Sequence, residues 1–453
     1  MSLSQIEKNL LLLLDPSGNR LTEQWQFIRD AFSSFCLSQR GEKDTCICVF
    51  KRRQIFQYLF CSLLFFFAVP RKKLTHIYYL QDNLMSMLFP PSSTKGYHRF
   101  AKNHLTDKTT LRAKIKSLFP LFLTADMRYI VLRRENSDRN KTTLDLNVKF
   151  EFMFFSNPSG KILITENKTL INGIGILAKT TTTPAYKQTL LREAQTISTI
   201  TRNPEMKDKV PNIIKHINTP ERCFILEEYI EGKTLREIFR TTTICMNTKT
   251  IIGYIDRLED WFMTYRSTFS GKLLSINELY ETPFNSFQEI YSNDQSLLLV
   301  ADNIKNKLAK ISKNHPGLIP ITAHNDLWPG NFLETTKGLI AIDWERAAHG
   351  RCEIFDYFWM IISTAMEYLI GMGFEENYSL CYRKVIQAED PVCAYAYMKL
   401  IDYIQKIGFS TDDLPVFMQL FLLEWSVQGY NALGRRTAMD EIAIYEFVHF
   451  HNK

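Results

Sequence analysis

One stretch in the second half of the chain leaves few folds open. It reads Ile321-Thr-Ala-His324-Asn-Asp326-Leu-Trp-Pro-Gly330-Asn331-Phe-Leu333, then Leu339-Ile-Ala-Ile-Asp343-Trp-Glu345. Two carboxylates and an amide sit on consecutive loops, each preceded by a short apolar strand. Phosphoryl transfer uses that equipment. A hard divalent cation takes oxygen ligands from Asp and Asn, and a further Asp orients the attacking hydroxyl and accepts its proton. The step from Asp326 to Asn331 equals the spacing in the kinase catalytic loop H-R-D-x-x-x-x-N, and the metal-binding Asp belongs one strand later, where Asp343 stands. Taken alone, Asp326 to Asn331 also fits a side-chain-capped turn.

The length of 453 residues predicts two or three folded units. Hydrophobic residues make up 45%, charged residues 23% and aromatics 13%, which excludes a disordered or low-complexity chain. The net charge of +7 is uneven: residues 1–145 carry 23 Lys plus Arg against 12 Asp plus Glu. No nucleic-acid-binding motif accompanies that basic front third, so a solvated face is expected and no nucleic-acid partner. The nine cysteines show no paired metal spacing, and the N-terminus shows no secretory pattern, so reduced thiols and a cytoplasmic location are expected. The apolar run 58–69 would make roughly 18 Å of helix, short of a membrane span. Its basic flanks keep a weak peripheral membrane contact through 51–73 as an alternative to burial.

Residues 1–125 carry no catalytic pattern and are read as an N-terminal accessory region of unknown role, with a helix over 21–36 and a turn signal at 90–96. Short β-branched and aromatic runs at 129–133, 147–155, 161–165 and 174–180 predict an antiparallel sheet, followed by a helix over 186–200 and a strand over 223–230. Beyond Gly232 the periodicity is helical, over about 250–268, 284–313, 354–370, 375–388, 391–407, 413–433 and 438–450. The fold class expected is α+β: a small antiparallel sheet in an N-lobe over 126–230, and a larger helical C-lobe over 231–453.

His324-Asn-Asp326-Leu-Trp-Pro-Gly-Asn331 followed by Ile342-Asp343-Trp-Glu345 resembles the aminoglycoside phosphotransferase and choline kinase superfamily. The resemblance is strong over 321–360, moderate over 147–232 and absent before about 125. It implies a bilobal protein-kinase-like fold and ATP- and Mg²⁺-dependent transfer to a small-molecule hydroxyl. By resemblance Asp326 is the catalytic base, Asn331 and Asp343 are the Mg²⁺ ligands, and His324 and Asp356 brace the loop. Ile176-Leu-Ala-Lys179 is similar to the V-A-I-K strand, with Glu193 as the helix glutamate that holds its lysine. Lys161 and Lys168 are rivals for that lysine. Ser156-Asn-Pro-Ser159-Gly160 would cover the phosphates, and backbone groups around Glu228 and Ile230 would meet the adenine.

Gly173-Ile-Gly175-Ile-Leu-Ala178 also fits a dinucleotide-binding G-x-G-x-x-A, but Thr180 to Pro184 is a poor helix start and no β-α alternation surrounds it. For the acceptor, Glu345, Tyr357, Trp359, Trp425 and Tyr430 could surround a quaternary ammonium, against aromatic packing between helices. Choline-like alcohols, aminosugars and other sugars stay open. So do a cell-envelope or capsular glycan hydroxyl and a non-catalytic binding module.

Overall fold

The computed structural model of the protein describes residues 45–51, 74–83, 85–89, 127–133, 150–156, 161–166, 176–181, 184–218, 223–241, 247–374, 378–433, 444 and 447. The expected features at 21–36, 58–69 and 90–96 lie outside these residues, as do Lys168, residues 157–160 and 173–175, and most of 438–450. The chain divides into two compact units, residues 1–191 with 213–229, and residues 192–212 with 230–453.

The first unit holds a nine-stranded antiparallel sheet. Its strands are β1 (Thr45–Lys51), β2 (Leu74–Asn83), β3 (Met85–Phe89), β4 (Met127–Arg133), β5 (Phe150–Ser156), β6 (Lys161–Glu166), β7 (Ile176–Thr181), β8 (Ile213–Asn218) and β9 (Cys223–Glu228), in the order β1-β4-β2-β3-β5-β6-β7-β9-β8. The strands expected from β-branched and aromatic runs fall within a few residues of those observed. The sheet is larger than expected, because β1, β2 and β3 come from the front region and β8, not foreseen, pairs with β9 at the other edge. β1 pairs with β4 from Thr45↔Arg133 to Lys51↔Met127, and β3 pairs with β5 through Leu88↔Met153, so hydrogen bonding crosses residue 125.

Helix α1 (Pro184–Ile200) carries the chain from the first unit into the second, which is mainly helical. The helix expected over 284–313 is two. α4 (Ile276–Ile290) starts at a capping box in which Ser275 and Glu278 bond each other's backbone N–H, and it absorbs Pro283 at the loss of one backbone hydrogen bond. α5 (Gln295–Lys313) begins where the Asp294 side chain accepts from Leu297 N at 3.2 Å. A short α2 (Leu235–Thr241), not foreseen, precedes α3 (Thr248–Ser267). The centre of this unit is α6 (Ile354–Gly371), buried at every position from Ile354 to Leu369. Such an all-round apolar helix has to be enclosed by others. α7 (Tyr378–Ile386), α8 (Pro391–Lys406) and α9 (Leu414–Leu433) do this together with α2 and α3. Among the described residues no helix is long and apolar enough to cross a membrane.

Candidate functional site

A two-stranded hairpin sets the site. β12 (Phe332–Thr335) pairs on one edge with β10 (Lys233–Thr234) and on the other with β13 (Gly338–Ala341), so that Phe332 faces Ala341, and Ile342 N donates to Asn331 O at 2.9 Å. Asn331 and Asp343 therefore stand just beyond the same end of the hairpin. Phe332, Leu339, Ile340 and Ala341 are buried there, with the Trp261 ring edge-on to Phe332 at 5.1 Å. Burying these apolar groups holds the loop ends in place.

The Asp326 loop is braced from below. β11 (Ile321–Ala323) pairs with β14 (Ala348–Arg351) and delivers His324 to the end of the hairpin. His324 Nε2 bonds Ile342 O at 3.0 Å, and its ring rests 4.5 Å from that of Trp344. Asp356, in the first turn of α6 and fully buried, accepts from His324 N at 2.5 Å and Asn325 N at 2.8 Å. Asn325 holds a left-handed φ of 60°, which its short polar side chain tolerates, and its Nδ2 donates to Arg346 O at 2.9 Å. Asp326 follows with its carboxylate placed from both sides. Asn331 Nδ2 donates to Asp326 O at 2.8 Å and to Oδ2 at 3.2 Å, while the Arg346 guanidinium lies 3.6 Å from Oδ1. Asp343 is left-handed as well, at φ 65° and ψ 59°, a conformation that costs a β-carbon residue roughly 1–2 kcal/mol.

Burial sets the charge states. It pushes the His324 imidazole down to about 4, against the pull of the Ile342 carbonyl and of the Asp343 and Glu193 carboxylates. The ring is neutral at pH 7, its one proton lies on Nε2 facing that carbonyl, and Nδ1 has no hydrogen-bond partner among the described residues. Burial also lifts the Asp356 carboxyl to about 7, with the Asp326 charge adding to the rise and the two backbone N–H groups and Arg351 opposing it.

The donor chemistry suits a hard cation. Asn331 spends its amide N–H on Asp326, and its amide oxygen accepts no hydrogen bond among the described residues, so that oxygen is available as a ligand beside the Asp343 loop. No cluster of three or more His, Cys, Asp or Glu able to hold a metal occurs among the described residues. A two-ligand protein site completed by phosphate and water oxygens is the form Mg²⁺ usually takes.

The other expected residues are placed as follows. Lys179, 4% exposed, pairs with Glu227 at 2.9 Å. Because Leu177 faces Glu227 and Lys179 faces Ile225, the two are diagonal neighbours on one face of the sheet. Glu227 is buried, whereas Glu228 after it is part-exposed. Glu193 is fully buried and lies in the second unit. Glu228, the last residue of β9, and Ile230, two residues beyond it, are part-exposed. Glu345 accepts through its backbone oxygen from exposed Arg192 at 3.3 Å. Trp359 and Trp425 pack at 4.9 Å between α6 and α9, and Tyr357 stacks on Tyr403 at 3.7 Å, all of them buried. The side chain of Tyr430 is outside the described residues. Arg346 is silent in the sequence, because nothing in its spacing reports that the turn after Asp343 folds back onto Asp326.

No protein-family model matches the chain, and no curated protein matches it in sequence. Among solved structures it is similar to an aminoglycoside phosphotransferase of Streptomyces rimosus in complex with ADP and streptomycin, at 11% identity and a TM-score of 0.36, over 58% of this chain and 90% of that one. It is also similar to a spectinomycin phosphotransferase in complex with ADP and spectinomycin, at 11% identity and a TM-score of 0.31, over 67% of this chain and 90% of that one. At this level of overlap the chain's own residues, and not these likenesses, carry the functional reading.

Proposed function

We propose that the protein is a phosphotransferase that moves the γ-phosphoryl group of ATP to a hydroxyl of a small molecule, with Mg²⁺ as cofactor. The observation that supports this best is the hairpin end, where Asn331 and Asp343 flank one strand pair and Asn331 also fixes the Asp326 carboxylate. Asp326 is the catalytic base. It orients the acceptor hydroxyl and takes its proton as the acceptor oxygen bonds to the γ-phosphorus. The bond from that phosphorus to the β,γ-bridging oxygen breaks, and ADP leaves with the electron pair. Mg²⁺, held by Asn331 and Asp343, would neutralise phosphate charge. Lys179 serves the nucleotide's phosphates as a cation, Glu193 supports that arrangement, and backbone groups at Glu228 and Ile230 take the adenine. His324 and Asp356 touch no substrate; they position the loop. Choline-like alcohols, aminosugars, other sugars and an envelope glycan are the acceptor classes in view, and a cytoplasmic setting is part of the reading.

Thermal melting with ATP, with and without Mg²⁺, tests the nucleotide and metal part. The wild-type transition should rise with ATP and rise further with Mg²⁺. Asn331→Ala and Asp343→Ala should lose the Mg²⁺ increment, and Asp326→Ala should keep both. An increment left intact in the first two variants would remove the metal assignment.

A further inference from the structure

Asp326 and Arg346 remain partly open to solvent, at 23% and 30% of their side-chain surface, whereas His324, Asn325, Asn331, Trp344 and Asp356 around them are buried. A molecule that reaches the Asp326 carboxylate therefore meets the Arg346 guanidinium as well. At 3.6 Å the pair is an ion pair and not a hydrogen bond. The side chain of Arg346 makes no hydrogen bond to any described residue, although guanidinium offers five N–H donors. Its backbone is fixed: Arg346 O accepts from Asn325, and the turn Trp344–Arg346 is anchored by buried Trp344, whose Nε1 donates to Ala341 O at 3.2 Å. A planar cation held from behind, with its donors unspent, matches a carboxylate or a phosphate in shape and charge.

The surroundings agree. A second guanidinium, that of Arg236, lies over the Trp328 ring of the same loop at 5.2 Å, with 38% of its side chain exposed. Glu367 pairs with Arg236 at 3.7 Å and with Arg240 at 2.7 Å. Of the rings that could have held a quaternary ammonium, Tyr357, Trp359 and Trp425 are buried against other aromatics.

We propose that the acceptor is an anionic alcohol, a small molecule whose reacting hydroxyl accompanies a carboxylate or phosphate, and that Arg346 recognises that anion. This rests on the phosphotransferase reading. Arg346 forms no covalent bond and takes no proton. It sets which alcohol presents its hydroxyl to Asp326.

The test uses the full chain with γ-labelled ATP and Mg²⁺. It is offered a small-molecule extract split by ion exchange into cationic, neutral and anionic pools, alongside glycerate, glycerol 3-phosphate, glucose and choline as defined probes. Label should enter the anionic pool, and the two anionic probes separate a carboxylate preference from a phosphate preference. Arg346→Ala should raise KM for the accepted anion by about tenfold or more and lower kcat by a smaller factor, and Arg346→Lys should fall between. Melting with ATP checks that both variants are folded. Transfer only to cationic or neutral acceptors, or anionic transfer indifferent to Arg346→Ala, would overturn the inference and leave the phosphotransferase reading standing. No transfer into any pool would remove both.

Discussion

Replacing His324 by Gln gives a stability effect whose dependence on pH can be worked out in advance. The imidazole is fully buried and donates from Nε2 to Ile342 O, and burial lowers it from its ordinary 6.5 to about 4. A base with a depressed folded-state pKa is held neutral in the fold, while the unfolded chain binds a proton below pH 6.5. Its contribution is therefore complete above that pH and is lost as pH falls from 6.5 towards 4. Between pH 7.5 and pH 5 the loss comes to roughly 2 kcal/mol, because each pH unit crossed between the two titration midpoints is worth about 1.4 kcal/mol. Gln keeps an amide donor for Ile342 O but cannot titrate, so His324→Gln should lack this part of the pH slope. Asp356 and Glu424, both raised to about 7 by burial, oppose it equally in the two proteins and drop out of the difference. Urea unfolding followed by tryptophan fluorescence suits the comparison, because five of the six tryptophans lie in the second unit. Equal slopes for wild type and variant would refute the picture of a neutral histidine bracing the loop.

Three further substitutions probe the supports. Gly330→Ala would set a β-carbon 2.3 Å from Cζ2 of Trp328, so the ring must swing off Arg236; we expect about 1–3 kcal/mol of lost stability, and a kcat that falls more than ATP binding. Asn325→Ala keeps the left-handed strain and loses the bond to Arg346 O, a cost of about 2 kcal/mol in urea titration, of which Asn325→Gly should recover about half. Arg266→Met strips the partner from Glu353, 2% exposed at its side chain and paired at 2.6 Å; the melting curve should show about 3–5 kcal/mol lost, and adding Glu353→Gln should restore part of it.

The layout of the two loops is legible in the sequence because it depends on local spacing. Asp326, Asn331 and Asp343 fall at the ends of apolar runs that could form only short strands, and the hairpin register follows. His324 and Asp356 are reached by resemblance, and they meet in the structure as backbone supports of the loop. What stays hidden depends on contacts between distant residues. Lys179 and Glu227 become neighbours only once β7 and β9 pair, and Arg346 reaches Asp326 only once the turn after Asp343 folds back. The front strands β1, β2 and β3 escape a sequence reading because their partners, β4 and β5, are remote along the chain. Pro283 looks like a boundary in the sequence, yet a helix capped firmly at Ser275 continues through it.

The central claim is that Asp326 takes a proton from an alcohol as phosphate moves to it. Single-turnover transfer of label from γ-labelled ATP, with Mg²⁺ and the same pooled acceptors, measures this for wild type beside Asp326→Asn. The account predicts transfer by wild type, a fall of about a hundredfold or more in the variant, and unchanged nucleotide binding in both. Undiminished transfer by Asp326→Asn would contradict it.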